Sequence, residues 1–199
     1  MFNSCGFFIE YGSDVDYRPG FFGDKVDERT RFRLMQWVLP AESWDLYNWT
    51  SGDPGFKEST WYTEHTSGDR TRNIHVLAEN VIALVLTPRL SGTEDPTGTA
   101  LAPDFVYNSA PAAWPPAKPQ PDMENQLPPI IQATLVSLDE ASAARLEGLS
   151  DDPVEFLGLN ELFQAAAEFD QDMEKLKETL QDNRLQYRVF QSAIQLKSR

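Results

Sequence analysis

IIQATLVSLDEASAARLE, residues 130–147, is the stretch on which the fold turns. Ile130, Gln132, Thr134, Val136 and Leu138 alternate with Ile131, Ala133, Leu135 and Ser137, the two-residue period of a strand. Asp139 then stands where a helix wants a short side-chain acceptor, so a helix is expected over residues 140–147. Downstream, Asp152-Pro153-Val154-Glu155 puts Asp at a cap, Pro at the first helical position and Glu where a capping box reaches back. Phe156, Leu159, Leu162, Phe163 and Ala166 extend that start as a helical stripe. Asp170 opens a further helix with Met173, Leu176 and Leu180 at helical spacing, and Asn183 is its stop. Residues 185–196 close the chain as a strand, with Tyr187, Val189, Gln191 and Ala193 on one face and Phe190, Ile194 and Leu196 on the other.

Toward the amino terminus, Phe7, Ile9 and Tyr11 alternate with Phe8 and Glu10 as a strand. Residues 18–25, with Pro19, Gly20 and Gly23, read as a loop. Residues 31–39 form a strand that Pro40 ends, since proline cannot donate to a ladder. Residues 41–62 are aromatic and irregular, leading into a short strand near 59–64. Residues 74–79 are expected as one helical turn before 81–87, whose nearly unbroken apolar, β-branched run suits a central strand buried on both faces. Eight of the fourteen prolines fall between residues 103 and 129, so about 95–129 should be an extended excursion, interrupted by a short strand at 104–108. Residues 111–121 should be its most exposed or mobile part. Strands and helices do not alternate as βαβ units. The expected class is therefore α+β: largely antiparallel sheets with carboxyl-terminal helices packed on them, in a single domain over residues 1–199. Leu34, Val85, Leu135, Phe190 and Ile194 should share one sheet system, with Leu176 and Leu180 over it.

The chain has 199 residues, 41% hydrophobic and 24% charged, and can bury a core without disulfides or metal. Aromatics at 12% argue against a disordered chain. Seventeen basic against thirty-one acidic side chains leave a formal charge of −14, which repels phosphate backbones and anionic membrane surfaces. Solubility, basic partners or divalent cations are what such acidity favours. Cys5 stands alone, so neither an intrachain disulfide nor a cysteine zinc site can form. No apolar run approaches the roughly 18 residues of a membrane helix. Residues 1–8 lack the basic start and long apolar core of a signal peptide, so the chain is expected either to be cytosolic or to have lost an export segment.

The common catalytic signatures are absent: no phosphate-cradling or dinucleotide glycine loop, and no nucleophile elbow. His65 and His75 have no zinc-ligand spacing. Asp14 with Asp16, Glu94 with Asp95, and Asp151 with Asp152 could offer oxygens to calcium, but none has the twelve-residue loop of an EF-hand, and turns or helix caps account for them. A glycosidase with two distant carboxylates has no pointer in the sequence. Asn48-Trp49-Thr50 matches a glycosylation sequon by its three residues alone. The aromatic cluster between Trp37 and Tyr62 is the one unusual local feature. It fills a space between sheet and loop, or Trp44, Trp49 and Trp61 form the platform of a carbohydrate-binding module. No catalytic, cofactor-binding or metal-binding residue is assigned, and no cofactor is expected.

VLAENV at 76–81 and LPPIIQATL at 127–135 resemble the turn-into-strand and strand motifs of J-type minor pseudopilins. A closer likeness, through RFRLMQWVLPAESWDLYN at 31–48, DPTGTALAPDFVYNSA at 95–110, and residues 125–146 and 176–196, is to the Verru_Chthon cassette protein C family, a pseudopilin-like group of Verrucomicrobia. The resemblance implies a non-enzymatic assembly subunit of a type II secretion-like or pilus-like machine. It would be extracytoplasmic or periplasmic, tethered to the inner membrane by an amino-terminal helix outside this sequence, with other pilin-like subunits as partners. The isolated domain would be monomeric. Such a family carries no catalytic residues to transfer.

Overall fold

Strand β1 (Ser4–Ser13) and strand β2 (Thr30–Leu39) pair antiparallel along their length, with Ser4 opposite Leu39 and Ser13 opposite Thr30. The computed structural model describes residues 4–18, 21, 27–39, 74–107, 109, 123 and 125–196. Its chain falls into two compact units, Met1–Val81 and Ile82–Arg199. In the first, β3 (Ile74–Glu79) completes an antiparallel sheet of order β1-β2-β3. As the middle strand, β2 is buried at every position from 31 to 35. Met35, Trp37 and Ile74 form an apolar cluster against which Phe8, Tyr17 and Val76 pack. The helical turn expected at 74–79 is instead β3. Pairing with β2 and alternate burial of Ile74, Val76 and Ala78 override the local preference. The register slips between Leu34, opposite Ala78, and Met35, opposite Val76, so Leu77 is the extra residue of a bulge.

The second unit carries β4 (Val81–Arg89, from its second residue on), β5 (Ile130–Leu138) and β6 (Tyr187–Gln195) in the order β4-β5-β6, with β5 and β6 antiparallel. Helix α1 (Glu140–Leu149) follows β5 directly, and Asp139 caps it by accepting from the Ser142 amide at 2.7 Å. The Ser142 hydroxyl in turn accepts from the Gln186 amide at 2.7 Å, which ties the start of α1 to the approach of β6. Helix α2 (Pro153–Phe156) is capped by Asp152, whose side chain accepts from the Val154 and Glu155 amides. Helix α3 (Phe169–Asp182) buries Met173, Leu176 and Leu180 and packs on the sheet. It ends in a Schellman motif: Leu185 donates to the Leu180 carbonyl at 2.8 Å and Arg184 to that of Gln181 at 2.9 Å, with Arg184 at φ 55°. The fold is α+β with antiparallel sheets and a carboxyl-terminal helix laid on one of them.

Several expectations are corrected. The stripe from Phe156 to Ala166 is not a continuous helix. Gly158 at φ 67° and Phe163 at φ 59° break right-handed continuation, and turns fold Leu157 and Leu162 inward. Of the strand expected at 104–108, residues 104–107 are turn and irregular backbone, with Phe105 at φ 62° donating its amide to the Ala102 carbonyl, and residue 108 lies outside the described residues. Strand β4 lies at the end of its sheet order, and β5 takes the middle. Leu34 belongs to the first sheet, not to that of Val85. In the second sheet Val85 is buried, Leu135 is half-buried, and Phe190 and Ile194 are exposed. The strand expected near 59–64 and the stretch 111–121 lie outside the described residues.

Candidate functional site

Beyond β4 the chain turns on Asp95. One of its carboxylate oxygens accepts from the Thr97 amide at 3.2 Å, the Thr97 hydroxyl at 2.7 Å and the Gly98 amide at 2.9 Å, and the other from the Ala100 amide at 2.8 Å. Burial disfavours the charged carboxyl, yet the hydrogen bonds from Thr97, Ala100 and Gly98 outweigh it and hold Asp95 below its ordinary value. The loop so fixed presents Gly98 in the left-handed region at φ 69°. A side chain there would be strained by that backbone, and its Cβ would have to displace the Arg89 guanidinium lying against Gly98. Arg89, half-buried at the end of β4, donates from its guanidinium to the Gln132 amide oxygen on β5. Among the described residues it is paired with no carboxylate.

Arg89 borders an open cleft of about 260 Å³ within the second unit. Thr87 and Arg89 from β4, Thr97 to Thr99 from the loop, Gln132 from β5 and Gln191 from β6 line it. Phe105, Ala166, Phe169 and Asp170 complete the wall, the last two being the opening residues of α3. The volume falls just below the roughly 300–1,000 Å³ of drug-sized sites, so a small polar group fits. Sequence reasoning missed this cleft. Its signals were a lone basic residue closing the apolar β4 and a Thr-Gly-Thr step two residues after Asp95.

The acids singled out from sequence are mostly engaged by their own backbone. Asp14 accepts from the Arg29 amide at 3.0 Å and pairs with Arg18 at 2.8 Å. Burial again opposes ionisation, but the Arg29 amide and the Arg18 guanidinium prevail and lower its pKa. Glu94 accepts from the Ser91 hydroxyl at 2.6 Å, Asp95 organises its loop, and Asp152 caps α2 while Asp151 is exposed. Among the described residues no three His, Cys, Asp or Glu side chains gather as a ligand set. His75 is exposed on β3 and Cys5 is exposed on β1. His65, the side chain of Asp16, the sequon at Asn48 and the platform candidates Trp44, Trp49 and Trp61 lie outside the described residues.

The second sheet also has an unusual outer face. The Arg89–Gln132 hydrogen bond puts odd-numbered β4 residues and even-numbered β5 residues on the cleft side. The opposite side carries Leu84 and Leu86, then Ile131, Ala133 and Leu135, and across from these Ile194, Ser192 and Phe190. Leu86 is 39% exposed, Phe190 53% and Ile194 48%. Strand β6 ends the sheet order, and every residue from 190 to 195 is exposed. Comparison with protein-family models, with curated proteins and with solved structures finds no match for this chain.

Proposed function

We propose that the chain is the globular part of a non-enzymatic, pseudopilin-like assembly subunit, acting outside the cytoplasm in a type II secretion-like or pilus-like machine. The apolar outer face of the second sheet carries this reading. Leu86, Ile131, Leu135, Phe190 and Ile194 share it, beside an edge strand. Large exposed apolar patches mark sites of protein association, and an edge strand left bare is a template for pairing. The sequence likeness at residues 31–48, 95–110, 125–146 and 176–196 supplies the kind of partner: another pilin-like subunit, less acidic than this chain of charge −14.

Co-purification with the pilin-like proteins encoded beside its gene is the test. A complex should form, and Phe190→Asp with Ile194→Asp should weaken it at least about tenfold, since each replacement puts a charge into an apolar contact. Both side chains are exposed, so circular dichroism should stay as in the parent chain. A gene neighbourhood without pilin-like partners, or a complex indifferent to the double replacement, overturns the proposal.

A further inference from the structure

We infer that the cleft at Arg89 is a binding site for a small amino-carboxylate, a ligand of α-amino-acid size carrying both an anionic and a cationic end. This rests on the cleft alone and is independent of the assembly reading. Arg89 supplies the anion end. Its guanidinium is held between the Gly98 backbone and the Gln132 amide oxygen, so its direction is preset before any ligand arrives. It has five N–H donors, and Gln132 is its one hydrogen-bond partner among the described residues. Because the Gln132 oxygen accepts from Arg89, the nitrogen of that amide remains as a further donor.

The opposite polarity comes from the loop and from α3. The Thr97 hydroxyl gives its proton to Asp95, so in the 3.0 Å pair between Thr97 and Thr99 the Thr99 hydroxyl is the donor. With that proton engaged, Thr99 meets a ligand as an acceptor. Asp170, exposed on the first turn of α3, adds a carboxylate to the same lining and makes no ion pair with Arg89. Arg89 and Asp170, charges of opposite sign that form no ion pair with each other, line one small cleft, and this matches a zwitterion better than a simple anion or amine. A simple anion would meet Asp170 and the charge of the whole chain as repulsion. Phe105 and Phe169 stand in the same lining, which is otherwise mostly polar and suits a small, polar ligand.

Amide chemical shifts read the binding directly. The intact chain is titrated at millimolar concentrations with L-alanine, L-glutamine and L-phenylalanine, then with propionate and propylamine as single-charge controls. At least one amino acid should saturate with shifts centred on Thr97, Gly98 and Thr99, and should bind more tightly than either control. Arg89→Gln should weaken it at least about tenfold through loss of charge-assisted hydrogen bonds. Asp170→Asn, a replacement of an exposed side chain that leaves the fold alone, should weaken the amino acid and strengthen propionate. Silence at these amides for all three amino acids, equal binding of the two controls and the amino acid, or indifference to Asp170→Asn overturns the proposal.

Discussion

Asp95 and Arg33 show how single polar groups are used in opposite ways. Asp95 accepts four hydrogen bonds and titrates below its unfolded value of 3.8. A carboxyl lowered on folding contributes stability that is present above the unfolded pKa and lost as pH falls through the folded one. Thermal midpoints followed between about pH 2 and pH 7 should therefore drop at the acid end, below 3.8. Asp95→Asn turns one oxygen into a donor facing the Ala100 amide, and should cost about 1.5–3 kcal/mol at neutral pH. The gap to the parent chain should close in acid, and a gap constant with pH would remove Asp95 from the acid response. Arg33 is 1% exposed and donates to the Ser13 carbonyl at 2.7 Å and to Glu10 at 3.4 Å, with the Tyr17 ring 4.6 Å from its guanidinium carbon. Its Nε and one terminal nitrogen have no hydrogen-bond partner among the described residues. Glu10→Gln leaves that cation buried without its anion and should destabilise by about 1–3 kcal/mol. Arg33→Met removes charge and unmet donors together and should stay within about 1 kcal/mol of the parent, or exceed it. Urea titrations of both variants decide, and a larger loss from Arg33→Met than from Glu10→Gln would reverse this account.

Elements differ in how far neighbours decide them. Strand β5 and helix α1 follow from alternation and from the Asp139 cap, which are local properties, and the structure places them at Ile130–Leu138 and Glu140–Leu149. Which face of β5 is inside was not legible, because both faces are apolar and only pairing with β4 and β6 selects one. Val136 is buried at 1% while its neighbour Leu135 is half-buried on the outer face. The stripe after α2 misled for a related reason: Leu157 and Leu162 are core residues, but Gly158 turns the chain between them and Phe163 turns it just beyond, and the Phe163 amide is taken by the buried Asp172 at 2.9 Å. An acceptor nine residues downstream leaves no periodic mark. The cleft was hidden likewise, since Arg89, Gly98, Gln132 and Asp170 come from four separate places in the chain. Core truncation separates the two faces. Leu180→Ala, at a fully buried position of α3, should cost about 2–5 kcal/mol. Leu135→Ala should cost less than half of that. Equal losses in chemical denaturation would mean that the outer face is as well covered as the inner.

At the scale of the molecule, charge and apolar surface pull in opposite directions. The outer face of the second sheet favours association through Leu86, Phe190 and Ile194. The formal charge of −14 opposes it between identical copies, since each copy presents the same sign to the other. The same charge attracts a partner whose docking face is basic, and repels a less acidic one more weakly than it repels an identical copy. Salt screens these terms over a Debye length of roughly 8–10 Å near physiological strength and leaves the apolar attraction in place. The two kinds of association should therefore respond to salt with opposite sign. In sedimentation experiments the isolated chain should be monomeric at low ionic strength and self-associate increasingly as salt rises. Binding to a pilin-like partner with a basic docking face should instead weaken over the same range, chiefly through a slower on-rate. Phe190→Asp should abolish the salt-induced self-association because it adds charge where the copies would meet. A dimer stable at low salt would show that apolar contact outweighs repulsion between copies, and would remove charge as the reason for choosing a different partner.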